Sequence, residues 1–122
     1  MVATANESWN MVYYQAPQQN SSPVYDFINS LDANAKSKVI NTINLLEGYG
    51  IKLSLSHAKK LTGTELWELR MLGQDNIRIL YIATVGRTFL LLHGFVKKKQ
   101  KTDKREIKTA LGRLKDYRSR TH

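Results

Sequence analysis

Residues 66–95 read Leu-Trp-Glu-Leu-Arg-Met-Leu-Gly-Gln-Asp-Asn-Ile-Arg-Ile-Leu-Tyr-Ile-Ala-Thr-Val-Gly-Arg-Thr-Phe-Leu-Leu-Leu-His-Gly-Phe. Three runs within this stretch, Leu66 to Leu72, Ile77 to Val85 and Thr88 to Phe95, are rich in aliphatic, aromatic and β-branched residues. Such residues suit a pleated, half-buried backbone. Gly73-Gln74-Asp75-Asn76 separates the first two runs as a turn cluster, and Gly86-Arg87 separates the last two at the spacing of a two-residue hairpin loop. The stretch therefore predicts a three-stranded antiparallel meander.

Upstream, Trp9 to Tyr14 reads as a first strand and the polar residues 15–22 as a loop. Ser22 before Pro23 has the form of an N-cap with proline at the first helical position, and Val24, Phe27, Ile28 and Leu31 then share one helical face. Asp32 can cap a second helix whose Ala35, Val39, Ile43 and Leu46 form a stripe, ending at Gly48 and Gly50. Residues 51–64 have no clean period and are expected as a functional loop with at most a short helical turn, carrying His57, Lys59 and Lys60 before the Thr62-Gly63-Thr64 turn. Downstream, a helix is expected from Thr102 or Asp103 to about Tyr117, with Asp103 and Glu106 at capping-box spacing and Ile107, Ala110, Leu111, Leu114 and Tyr117 as its apolar stripe. The order β-α-α-β-β-β-α defines an α+β class: two N-terminal helices and a C-terminal helix on one face of a small antiparallel sheet, the other face free. A single domain, residues 1–122 with its core at about 9–118, is expected.

The chain has 122 residues, 19 Lys plus Arg against 10 Asp plus Glu, and no Cys. A chain this long buries roughly two-thirds of its unfolded surface, so it needs no disulfide or metal to hold a core. The absence of Cys excludes a cysteine nucleophile and thiolate metal sites. The longest apolar runs fall far short of the ~20 residues of a membrane span, and Met1 to Glu7 lacks the basic and apolar regions of a secretory signal. A cytoplasmic protein with no membrane partner is expected.

Charge is unevenly placed. Residues 97–122 carry eleven basic residues against Asp103, Glu106 and Asp116, a net of +8 out of +9 for the whole chain. Clustered Lys and Arg reward a polyanion, most simply nucleic acid, through counterion release. A merely solvated helix is the competing reading. Phosphate-binding loops, dinucleotide fingerprints, zinc-protease and serine-hydrolase motifs are missing from the sequence. Glu65 and Glu68 point to opposite faces if both lie on a strand, so a two-carboxylate metal site is not expected. The sheet offers cations instead. Arg70 and Arg78 interrupt apolar strands, as a charge does where its face is open or meets an anion, and Arg78 has Glu68 and Asp75 as candidate partners. With Lys97 to Lys101 they can draw a cationic patch across the sheet. His57, among lysines, is an acid–base candidate; His93 reads as a hydrogen-bonded core histidine and His122 carries no role.

The strings Leu66-Trp67-Glu68-Leu69-Arg70, Ile77-Arg78-Ile79-Leu80-Tyr81, Leu91-Leu92-His93-Gly94-Phe95-Val96-Lys97-Lys98, Gln100-Lys101-Thr102 and Arg105-Glu106-Ile107 with Ala110 resemble the RelE/HigB superfamily of toxin–antitoxin toxins, in particular its phage-derived HigB-like branch. The resemblance runs from about Val12 to Arg118. It implies a RelE-like fold and a ribosome-dependent mRNA endonuclease, with a helix-turn-helix antitoxin, the ribosome and mRNA as partners. It also maps a catalytic arginine onto Arg78, a basic residue after the last core strand onto Lys98 or Lys97, and a basic loop loosely onto Lys59 and Lys60. The tyrosine that some RelE-type toxins carry near the C-terminus has no clear counterpart, because Tyr117 belongs to the apolar stripe.

The expected activity is that of an mRNA interferase, a hydrolase-type endoribonuclease cutting by attack of a ribose 2′-OH on the adjacent phosphate, with no metal and no cofactor. Arg78, Arg70 and Lys98 supply cations for the transition state. His57, a lysine of lowered pKa or the ribosome moves the protons, and Lys59, Lys60, Lys97, Lys99 and Lys101 bind RNA. The alternatives are a non-catalytic nucleic-acid-binding module that uses the basic C-terminal segment, and an accessory protein whose basic helix binds an acidic partner.

Overall fold

The computed structural model describes residues 8–53, 56–71 and 76–120. The turn expected at 73–76 with Asp75, apart from Asn76, the residues read for a signal sequence, and His122 lie outside them. Strand β1 (Asn10–Tyr13) is followed by helices α1 (Pro23–Asn29) and α2 (Ala33–Tyr49), a 3-10 turn at Gly50–Lys52, strands β2 (Ala58–Lys60), β3 (Trp67–Arg70), β4 (Ile77–Thr84) and β5 (Thr88–Val96), and helix α3 (Lys104–Arg120). The five strands form one sheet in the order β1-β5-β4-β3-β2. The expected antiparallel meander is present as β3, β4 and β5. The sheet as a whole is mixed, because β1 joins the outside of β5 in parallel, Asn10 beside Thr88 and Tyr13 beside Leu91. Strand direction is a property of the path between the strands, and no local pattern in residues 9–14 encodes it.

The helix ends follow their expected chemistry. The Ser22 hydroxyl accepts from the backbone N–H of Val24 (3.2 Å) and Tyr25, and the Asp32 carboxylate accepts from that of Ala35 (2.9 Å). Helix α2 stops at Gly50, whose φ of 61° lies in the left-handed region and whose missing side chain makes room for the Trp9 indole. The capping box of α3 is only half formed. Asp103 accepts from the N–H of Arg105 at 2.9 Å, but the Glu106 carboxylate turns to His93 instead of back to the helix start.

Helices cover both faces of the sheet, not one. Val24, Ile28, Val39, Ile43 and Leu46 of α1 and α2 pack on Leu69, Ile77, Ile79, Tyr81 and Phe89. On the opposite face Ala110 and Leu114 of α3 pack on Leu80, Ile82, Leu90, Leu92 and Phe95. This explains why β4 reads as a nearly continuous apolar run: both of its faces are buried. Leu111, placed in the apolar stripe by spacing, is instead exposed. Two smaller departures concern turns. Thr84 pairs with Thr88, so the hairpin loop holds three residues, Val85 before Gly86 and Arg87, the last two both at positive φ. The segment expected as a loop at 51–64 contributes β2, a three-residue edge strand whose Lys59 and Lys60 are exposed. Edge strands that are short and lysine-bearing resist pairing with other chains, and they carry no hydrophobic alternation to betray them.

Candidate functional site

On the sheet face that α3 packs against, Glu68 and Arg70 on β3, Arg78 on β4 and Lys97 just after β5 come together. Arg70 and Arg78 stand directly opposite each other in the ladder, and Arg78 in turn stands opposite Phe95. The chain leaves β5 with the Lys97 N–H donating to the Asn76 carbonyl at 2.8 Å, which holds the start of the lysine run against the start of β4.

At the centre lies Glu68, whose side chain is 1% exposed. Its Oε1 is 3.6 Å from Arg78 Nε, 3.8 Å from Arg70 Nε and 3.9 Å from Lys97 Nζ. Its Oε2 accepts from the Thr102 hydroxyl. Three cations around one carboxylate leave a local net charge of +2, and Lys59, opposite Glu68 on β2, adds another positive charge nearby. The cations are partly withdrawn from water: the side chains of Arg78 and Lys97 are 14% and 11% exposed, that of Arg70 30%. Burial pushes the Arg78 guanidinium down from its usual value, Glu68 opposes this, and Arg70 adds to it. Burial likewise pushes the Lys97 ammonium down; Glu68 raises it, and Arg78, Arg70 and Lys59 lower it further. A groove of about 440 Å³ opens beside them, lined by Asn76, Arg78, Lys97, Lys98, Lys99 and Gln100. Such a site can hold an anion and spread charge over its oxygens.

The other expected residues fall into distinct places. Lys98 is exposed on the groove wall, whereas Lys97 enters the cluster. Lys99 is exposed and lies 3.8 Å from Asp103, and Lys101 is exposed on the same segment. Lys59 and Lys60 are adjacent on a strand and so point to opposite faces; only Lys59 shares the face of Glu68. His57 flanks β2, its carbonyl accepting from the N–H of Arg70 at 2.7 Å, which places it beside the cluster at the sheet edge. His93 is hydrogen-bonded, as read from sequence. Its Nε2 donates to Glu106 at 2.6 Å and its Nδ1 accepts from Arg113 at 3.2 Å. The arginines of α3 are largely engaged within the chain: Arg113 also donates to the Leu92 carbonyl, Arg118 forms a two-bond pair with Glu65 at 2.8 Å, and Arg120 binds Asp116. Among the described residues no group of His, Asp and Glu could hold a metal ion, and no helix is long and apolar enough to cross a membrane.

Residues 26–115 match the family described as "Phage derived protein Gp49-like (DUF891)". The chain belongs to the Gp49-like family. This is a RelE/HigB-like toxin family of phage derivation. The matched span holds every member of the cluster from Glu68 to Thr102, together with most of the fold around it. A comparison with curated proteins finds no significant match.

Of this Gp49-like cluster the sequence names Glu68 as one candidate partner of Arg78, a pairing present at 3.6 Å, but not as the shared centre of three cations. Its signal is a carboxylate alternating with Arg70 in an otherwise apolar strand, a pattern that places both on one face. Thr102 gave no signal, since it reaches Glu68 from 34 residues away.

Proposed function

We propose that this Gp49-like protein is the toxin of a toxin–antitoxin pair and an endoribonuclease that cuts ribosome-bound mRNA, held in check by a helix-turn-helix antitoxin. The gathering of Arg70, Arg78 and Lys97 around a single buried carboxylate carries this reading. The family's general association with toxin RNase activity supports it. The ribose 2′-oxygen attacks the adjacent phosphorus in line, the bond to the 5′-oxygen breaks, and a 2′,3′-cyclic phosphate and a 5′-hydroxyl result. Charge that builds on the phosphate oxygens is met by the two guanidiniums, whose planar donors can each take two oxygens. One proton must leave the 2′-OH and one must reach the 5′-oxygen. Lys97, with its pKa lowered by burial, suits the first transfer. His57 at the sheet edge or a group of the ribosome suits the second.

The reading of α3 as a separate nucleic-acid-binding helix is weakened by the internal engagement of Arg113, Arg118 and Arg120. A test uses the purified chain with mRNA on programmed ribosomes and with the same mRNA free. Cleavage on the ribosome that yields cyclic-phosphate ends is the expected result. Binding without cleavage in either setting returns the protein to the class of non-catalytic binding modules, and growth unaffected by abundant expression of the chain alone argues against a toxin.

A further inference from the structure

Among the described residues of the cluster Glu68 is the anion, and the cleavage chemistry does not use it. It is buried beneath the cations, so it is shielded from RNA, and a buried carboxylate requires compensation. Arg70 and Arg78 face each other across β3 and β4, a placement that repels unless an anion lies between them. Glu68 is that anion. Its three ion pairs, at 3.6 to 3.9 Å, are longer than the roughly 2.7–2.9 Å of a charge-assisted hydrogen bond. Glu68 Oε1, Arg70 Nε and Arg78 Nε have no hydrogen-bond partner among the described residues. The carboxylate therefore holds the guanidiniums by charge, through Nε, and of the two Arg78 lines the groove. Its own orientation is set from elsewhere in the chain, by the Thr102 hydroxyl on the segment that leads into α3.

We propose that Glu68 is a positioning residue, a buried counter-ion anchored by Thr102 that gathers Arg70, Arg78 and Lys97 into one socket for a single RNA phosphate. The ligand rests on the RNA reading above; the gathering of the cations does not. Lys97 reports on it directly. The charged groups that face its ammonium are Glu68 and Arg70 from β3, Arg78 from β4 and Lys59 from β2. Glu68 alone among them stabilises the charged form, so removing its charge moves the Lys97 titration to lower pH.

The test follows the Lys97 ε-methylene by NMR across pH in the full chain, in wild type, Glu68→Gln, Glu68→Asp and Thr102→Val. Single-turnover cleavage on programmed ribosomes and melting temperature are measured on the same preparations. In Glu68→Gln the Lys97 midpoint is expected to fall by about one pH unit or more. The rising limb of the cleavage profile moves with it, and its plateau drops by about tenfold or more as the guanidiniums separate. Glu68→Asp, which keeps the charge but draws it back, lies between. If Glu68→Gln does not fold, Glu68→Asp and Thr102→Val decide: smaller shifts in the same direction support the proposal, and none overturns it. An unmoved Lys97 titration with an unchanged plateau in a folded Glu68→Gln protein overturns it, while loss of cleavage in Arg78→Ala keeps the cleavage reading. A wild type that never cuts RNA, but whose Lys97 shifts as stated, overturns the cleavage reading and leaves the counter-ion role in place.

Discussion

Arg78 stands in the middle strand of the meander, 14% exposed and within 3.6 Å of the buried Glu68. One of its Nη donors is spent on the Ile77 carbonyl at 2.9 Å, which leaves the rest of the fork to face an anion. Arg78→Ala is expected to lower cleavage by about a hundredfold or more, because a donor aimed at developing phosphate charge acts mainly in the transition state. Arg78→Lys should recover little, since an ammonium cannot hold two phosphate oxygens as a planar guanidinium can. Stability pays a second, smaller cost. Glu68 keeps Arg70 and Lys97, so losing one of three counter-charges should destabilise by about 1–3 kcal/mol, not the larger amount of an abandoned buried charge. Single-turnover rates and melting temperatures on the same samples check both figures. A variant that is as active as wild type, or that simply unfolds, would make Arg78 a structural residue.

At the scale of elements, two contacts decide where the helices sit. Helix α1 crosses β5 at Gly94, where an added Cβ would lie 2.5 Å from Phe27 Cδ2. Gly94→Ala is therefore expected to push α1 off the sheet at about 1–3 kcal/mol, and Phe27→Leu in the same chain to restore part of the loss. Equal melting temperatures for the single and double variants would show that the contact relaxes freely. On the other face, His93 links β5 to Glu106 and Arg113 of α3. Burial holds its pKa below the usual 6.5; the Glu106 hydrogen bond raises it and Arg113 lowers it. The folded state thus disfavours the protonated ring. Stability from this junction is complete above about pH 6.5 and is lost as pH falls toward the folded-state pKa. Melting temperature should drop between pH 7 and 5 in wild type and less so in His93→Gln. A similar drop in both would place the acid sensitivity elsewhere.

For the molecule as a whole, charge is divided by what it touches. Of the +8 carried by residues 97–122, the α3 arginines are largely engaged within the chain, while Lys98, Lys99 and Lys101 stand exposed beside the groove. RNA affinity should therefore fall steeply with salt, with a log–log slope of about −0.7 for each phosphate contacted on a single strand. Reversal of Lys98, Lys99 and Lys101 to Glu should flatten that slope, whereas reversal of Lys104, Lys108 and Lys115 on α3 should change it less. Equal effects of the two triplets would make the basic tail a diffuse field without a defined path for RNA.

The strands of the meander, the two N-terminal helices with their Ser22 and Asp32 caps, and the final helix were legible in the sequence because each is dictated by short-range chemistry: side-chain period, cap oxygens, turn residues. Arg70 and Arg78 were legible as conspicuous cations for the same reason, as charges that break an apolar period. What only the tertiary structure decided depends on contacts between distant residues. The parallel docking of β1, the presence of helices on both faces, and the edge strand at Ala58–Lys60 follow from how the chain crosses the sheet, which no local window encodes. The same holds within the site. Lys97 rather than Lys98 enters the cluster because residues past β5 alternate across the sheet plane, and Glu68 and Thr102 meet 34 residues apart because the segment leading into α3 passes beside β3. A residue's type is local; the charge and burial of its surroundings are set by the fold.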